Sequence, residues 1–438
     1  MGVKVLFERA SWTLADQCVV SSGSFLLNVL LARSFSEREY GEFTLFVASI
    51  FFLRTIDYSL ISYPLSVQLC LATDDKRAGL LGNTALLSGT LSLALAVVMA
   101  LGIVLLEADD ILLPACLCYL CWQTQETPRR SLLAEFRYRE AVAGDAVAFL
   151  GTPLAIAILL WMDSDLVTLS SALYVMSVMF AVGAAVHASK LRFAWPDFTE
   201  ARLLSREYFS IGKWSLVNYQ LVLVRGQLFP WVLAGAAGLA ATGSFQAGVN
   251  IANMMTPIIL GIGNAIPQVA AHAHRTGGVI GAVRGAYGYV LFGLLPVLVI
   301  CAAAVLMPEL LLRAVYGPAS PYLAATVGLQ LLALAGVADY IAETASKTLL
   351  GVQAGRLASL VNVVAVAAAA VLAFVLISRL GVFGAFLGYL IASLVRATGA
   401  LLAVAWLVAD ERSRMPVQSA AAVSSAPIDK ALGAHAKE

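Results

Sequence analysis

Three arginines stand in the middle of long apolar runs: Arg54, Arg225 and Arg396. At the centre of a bilayer a guanidinium costs about 2.5–3.5 kcal/mol on insertion scales. Each must therefore face an acid, a water-filled cavity or an anionic ligand. The chemistry open to such a set is anion handling, because guanidinium groups stay charged and grip phosphate with paired hydrogen bonds. Arg54 and Asp57 are one helical turn apart, a spacing that lets them pair. Arg225 has no acid within a turn, so its partner is on another helix or is a ligand. Arg396 is placed in the same way, and a structural ion pair and a ligand role are both open to it. Asp339, Glu343 and Lys347 recur every fourth residue and share one helix face. They form either an ion-pair ladder or a site where one carboxylate is left to couple cargo movement to protons. Asp16 and Asp145 are further carboxylates near span ends.

Metal and nucleotide chemistry find no support. Cys116, Cys118 and Cys121 lie on one apolar stretch without a fourth ligand and read as inert thiols. His272 and His274, two residues apart, fall on different helix faces. No phosphate-binding loop of the Gly-x-x-x-x-Gly-Lys-[Ser/Thr] type occurs, so transport within this chain would be ATP-independent. No cofactor, metal or nucleic acid is expected.

The elements that position these residues are membrane spans. Of the 438 residues 60% are hydrophobic and 13% charged, far from the balance of a soluble domain. Apolar runs long enough to cross a bilayer, about 20 residues each, occur twelve times. They cover 12–32, 41–66, 80–106, 111–127, 141–161 and 167–189, then 213–234, 241–268, 285–308, 322–346, 356–378 and 382–408. The fourth is the shortest, bracketed by Pro114 and Pro128. Pro230, Pro257 and Pro267 fall within or beside spans and suit kinked helices. The expected class is an all-α polytopic membrane protein.

Lys and Arg fix an orientation. Twenty-one of the 28 basic residues fall on the side that holds the N-terminus, four on the other side, and three within the membrane. That bias predicts both termini in the cytoplasm. A shift of 202 residues brings Trp12 onto Trp214, Gly41 onto Gly243 and Phe43 onto Phe245, with nine identities over the 39 positions from 12 to 50. Each copy holds six spans, so the repeat is parallel, about an axis along the membrane normal. The expected organisation is an N-terminal lobe (1–195), a cytoplasmic linker (196–212) with an amphipathic stretch, a C-terminal lobe (213–409) and a disordered tail (410–438).

Trp12-x-x-x-Asp16, Leu30-Leu-Ala-Arg33 and Glu39-Tyr-Gly-Glu-Phe43, with echoes at Gly243-Ser-Phe245 and Tyr316-Gly317, resemble the turn pattern of polysaccharide biosynthesis flippases. These are members of the multidrug/oligosaccharidyl-lipid/polysaccharide exporter superfamily. The resemblance implies a MATE-like bundle of two six-helix lobes around a central cavity. It implies an undecaprenyl-diphosphate-linked oligosaccharide as cargo, moved across the bacterial inner membrane for exopolysaccharide, O-antigen or capsule assembly. Cavity arginines are part of that pattern, and Arg54 and Arg225 match it. Partners would be membrane lipids and a polymerase or other assembly proteins, with the chain itself a monomer. A multidrug or small-solute cation-coupled antiporter is the alternative. An enzyme such as a polymerase or ligase fits poorly, since no outer loop is longer than about a dozen residues.

Overall fold

Serine and glycine punctuation sets the helices. Ser36 caps a helix start by accepting from the Glu39 backbone while the Glu39 carboxylate reaches back to the Ser36 N–H, so two orphan donors are satisfied at once. Gly278 (φ +60°) and Gly381 (φ +57°) break two very long helices at conformations that side chains resist. Past each break the chain doubles back. Gly285 lies against Ala273 and Val269, and Gly384 against the Leu376 carbonyl.

The computed structural model describes residues 3–424. Divided at these breaks, it contains twelve long helical segments. The first six are α1 (Val3–Ser34), α2 (37–71), α3 (Asp74–Leu105), α4 (Leu112–Ala134), α5 (138–162) and α6 (Leu169–Ala188). The second six are α7 (Phe198–Ala237), α8 (239–276), α9 (279–306), α10 (Pro321–Gly351), α11 (355–380) and α12 (382–424). A short helix, Pro308–Tyr316, precedes α10. Eight stretches among the described residues are long and apolar enough to cross a membrane, and the two longest of them each contain two antiparallel segments. The chain is thus a multi-pass, all-helical membrane protein.

Three expectations change. Pro128 does not end α4, which continues through it to Ala134 and carries Glu126, Arg129 and Arg130 inside the helix. The linker 196–212 is no separate element, since all but its first two residues belong to the 40-residue α7. Helix also continues to Ser424, through Ala- and Ser-rich sequence expected to be disordered; 425–438 lie outside the described residues. Pro230 and Pro267 sit inside continuous helix, whereas a 3-10 turn at Asn253–Met255 comes just before Pro257.

The lobes meet through the repeat itself. A Cβ on Gly41 would lie 2.0 Å from the Leu239 carbonyl, and one on Gly243 would lie 2.4 Å from the Glu37 carbonyl. Residues 37 and 41 are the 202-shift equivalents of 239 and 243. The α2–α8 crossing is therefore two-fold symmetric, and only glycine lets the backbones approach this closely. The same end is tied by Arg33, which donates to the Val315 and Ala314 carbonyls (2.6 and 2.9 Å) at the end of the short helix. Beside it Tyr322 packs its ring against Tyr40 in a tilted contact and against Tyr316 edge to face. Gly41→Ala is expected to overpack this crossing at about 1–3 kcal/mol. A lowered melting temperature should report it, with Gly79→Ala, which has open space around it, unchanged or slightly raised.

Away from that crossing the symmetry lapses. Gly212 of α7 approaches the Ser59 carbonyl of α2 as closely as 2.4 Å for an added Cβ, and Tyr58 meets Tyr219 edge to face at 5.0 Å. Gly261, the 202-shift equivalent of Ser59, has nothing within 4 Å of an added Cβ. Hence α2 and α7 close against each other along one side.

Candidate functional site

A cavity of about 840 Å³ lies between the lobes, in the half of the bundle that holds the 35–36 and 238 turns. It is walled by α1, α2, α4, α5 and α6 from one lobe and by α7, α8 and α12 from the other. Its polar lining is neutral: Ser24, Asn28, Gln227, Gln246, Asn250 and Asn253 are representative. Aromatic faces complete it, with Trp122 stacked on Phe180 (4.6 Å) on one side and Phe245 beside Tyr389 (6.4 Å) on the other. Among the described residues no Asp, Glu, Lys or Arg lines it. Amides and hydroxyls offer donors and acceptors in both directions, and aromatic rings offer flat apolar faces.

Charge lies one side chain behind this wall, in both lobes. In the first, Arg54 Cζ sits 4.5 Å from the Trp122 ring centroid, and its Nη2 donates to Glu126 at 2.7 Å. Glu126 also accepts from Arg130, which in turn lies over Tyr58 at 4.7 Å. The expected Arg54–Asp57 pair does not form. Asp57 is fully buried and accepts from Ser88 (3.1 Å) and Ser62 (3.5 Å), with no cation within 4 Å among the described residues. The reason is directional: Arg54 reaches across to α4, while Asp57 sits on the face of α2 turned to α3.

In the second lobe the three α10 residues and both remaining arginines come together. Arg225 Nη1 donates to Asp339 at 3.0 Å. Arg396 donates to Glu343 (2.7 Å) and Asn362 (3.2 Å) and lies 3.7 Å from Asp339. Lys347 is 3.4 Å from Glu343. Tyr389, a cavity residue, donates to Asp339 at 3.4 Å, as Ser393 does at 3.2 Å. Both acids of the α10 ladder are thus held by cations, and the group carries one more cation than anion. Arg225 itself adjoins Gly226 and Gln227, which line the cavity.

Asp16 belongs to a third cluster. Arg129 donates from Nε to Asp145 (2.5 Å) and from Nη2 to Asp16 (2.8 Å), and all three side chains are at least nine-tenths buried. Gln125 donates to the other Asp145 oxygen, and His187 donates to the Ala141 carbonyl nearby. This cluster joins α1, α4, α5 and α6. Glu126 and the inward role of Arg129 escaped the sequence because Pro128 suggested a helix end. The i,i+3 and i,i+4 spacing of Glu126 to Arg129 and Arg130 was the available signal.

No family model matches the chain, and no curated protein sequence does. Solved structures do. The chain superposes on a multidrug resistance MATE family transporter of the MOP superfamily in an inward-facing conformation, with a TM-score of 0.69, 16% identity, and coverage of 92% of this chain and 96% of that one. The lipid II flippase MurJ, inward closed, gives 0.72 at 12% identity over 91% of this chain and 87% of that one. A MOP superfamily transporter from Pyrococcus furiosus gives 0.61 at 14% identity over 91% and 95%. With two lobes, a cavity between them and these likenesses, the chain is a multi-pass membrane protein with the fold seen in the MATE family transporter and in the lipid II flippase MurJ.

Proposed function

We propose that the chain is a flippase for an undecaprenyl-diphosphate-linked oligosaccharide in the bacterial inner membrane, with both termini cytoplasmic, working by alternating access in polysaccharide assembly. One observation carries this: the cavity is large, neutral and lined by amides, hydroxyls and aromatic faces. Sugars present hydroxyls and flat C–H surfaces, which suit such a lining. A cationic drug would gain from a carboxylate in the wall, and none is there among the described residues. The MurJ structure is that of a lipid II flippase, and it supports the same class.

In this reading the diphosphate is met by Arg54, Arg225 and Arg396, which exchange Glu126, Asp339 and Glu343 for phosphate oxygens as the lobes move. Asp57, outside any ion pair among the described residues, is the acid free to serve coupling. The chain carries its cargo unaltered, beside the polymerase and other proteins that extend it. The test is a purified chain in sealed vesicles with undecaprenyl-diphosphate oligosaccharide in one leaflet. Wild type is expected to expose the glycan to an impermeant lectin, faster than protein-free vesicles. No exposure, together with uptake of a cationic dye, would establish the antiporter instead.

A further inference from the structure

The start of α7 packs on α3. Glu200 accepts from Asn83, and Tyr208 bonds Thr84 at 2.8 Å. Eight residues of α7, about 12 Å at 1.5 Å per residue, therefore meet two adjacent residues of α3. The two helices cross here. The crossing is pinned by Asp197 N–H to Asn83 (2.8 Å) and Ala194 N–H to the Ala78 carbonyl (2.9 Å).

Its two faces differ in charge. At 100° per residue, Phe198, Arg202, Ser205, Arg206, Phe209 and Lys213 share one face, while Glu200 and Glu207 lie on the opposite one. Phe198 is 77% exposed and Phe209 58%. Arg202, Arg206 and Lys213 are all exposed, and none forms an ion pair among the described residues. Ser205 and Phe209 roof a groove of about 340 Å³ whose floor is Leu60 and Ile61 of α2 and Leu87, Thr90 and Leu91 of α3. Thr90 bonds the Leu87 carbonyl, so the floor offers no free hydroxyl. An apolar slot thus opens beside a helix face that carries three cations without an ion pair among the described residues.

We infer that this groove binds one anionic phospholipid, with an acyl chain between α2 and α3 and its phosphate against Arg202, Arg206 and Lys213. Cations at a membrane surface attract anionic headgroups, and exposed aromatic residues anchor at the same level. The site is separate from the cavity and its occupancy does not depend on the cargo.

Native mass spectrometry of the full chain in neutral detergent tests this, with dioleoyl phosphatidylglycerol titrated against dioleoyl phosphatidylcholine. Wild type is expected to retain one phosphatidylglycerol at least tenfold more tightly than phosphatidylcholine. The R202Q/R206Q/K213Q variant should lose that tenfold preference. Leu91→Trp, which fills the slot and leaves the charges in place, should weaken phosphatidylglycerol as much. Glycerol phosphate at the same concentration should displace nothing. Every variant is first required to elute as wild type, with Leu91→Phe standing in if the tryptophan does not. Equal binding of the two lipids, or wild-type binding by the triple variant, overturns the site. So does an equal loss in R275Q/R284Q, which removes exposed cations elsewhere, or displacement by glycerol phosphate alone.

Discussion

Arg225→Ala is expected to stop export while the chain still folds, and Asp339→Asn to be the more damaging change to folding. The group of Arg225, Arg396 and Lys347 against Asp339 and Glu343 explains the order. Removing Arg225 leaves two cations and two acids, and Asp339 keeps Arg396, Tyr389 and Ser393 around it. Removing the Asp339 charge leaves three cations facing one acid. Breaking a buried pair so that charge is left uncompensated costs about 3–5 kcal/mol. The double variant Arg225→Ala/Asp339→Asn should then be more stable than Asp339→Asn alone. Melting temperature in detergent reads the folding arm, and polymer production in a strain lacking the native protein reads the export arm. If Arg225→Ala exports normally, or Asp339→Asn melts with wild type, the argument fails. Arg225→Lys separates charge from fork geometry, since lysine keeps the first and lacks the second.

Arg129→Ala is expected to be the most destructive single change in the first lobe. It strands Asp16 and Asp145, both buried, across a junction of α1, α4 and α5. A loss of about 3–5 kcal/mol is large against total stabilities of about 5–15 kcal/mol, so little folded protein should accumulate. Arg129→Lys should rescue poorly, because one ammonium replaces two separately aimed N–H donors. An uncharged replacement of the whole trio, Asp16→Asn/Arg129→Met/Asp145→Asn, should recover much of the folded yield, since removing all charge costs less than removing one partner. Yield and elution profile distinguish these cases, and wild-type yield from Arg129→Ala would refute the cluster's structural weight.

The spans, the breaks between them and the repeat were readable because they are local or periodic. Gly238, Gly278 and Gly381 end helices where backbone conformation demands glycine, and hydropathy changes around them. The Glu343–Lys347 pair was readable at four residues' spacing. The Arg54–Glu126 and Arg225–Asp339 pairs were not, because their partners lie 72 and 114 residues away. Nothing in a single sequence says which face of α2 turns toward α4. Spacing permitted Arg54–Asp57, and helix rotation decided against it. Pro128 misled for a different reason: proline removes one N–H, and a packed membrane helix absorbs that loss when neighbours hold it. The cavity's neutrality was hidden too, since it depends on which charges stay one layer back.

The crossing at Gly41 and Gly243 has the form of an isologous contact, in which one surface meets its own copy. A six-helix unit with that surface could pair with an identical unit by the same geometry. Two separate copies would have to carry every charge twice. Fusion into one chain lifts that constraint, and the pair Gly23 and Arg225 shows the freedom it gives. A side chain at 23 would strike the Phe149 backbone 2.2 Å away, whereas position 225, 202 residues on, holds an arginine that reaches α10. Joined halves can therefore diverge around an unchanged seam, one keeping the tight packing and the other taking on the charge.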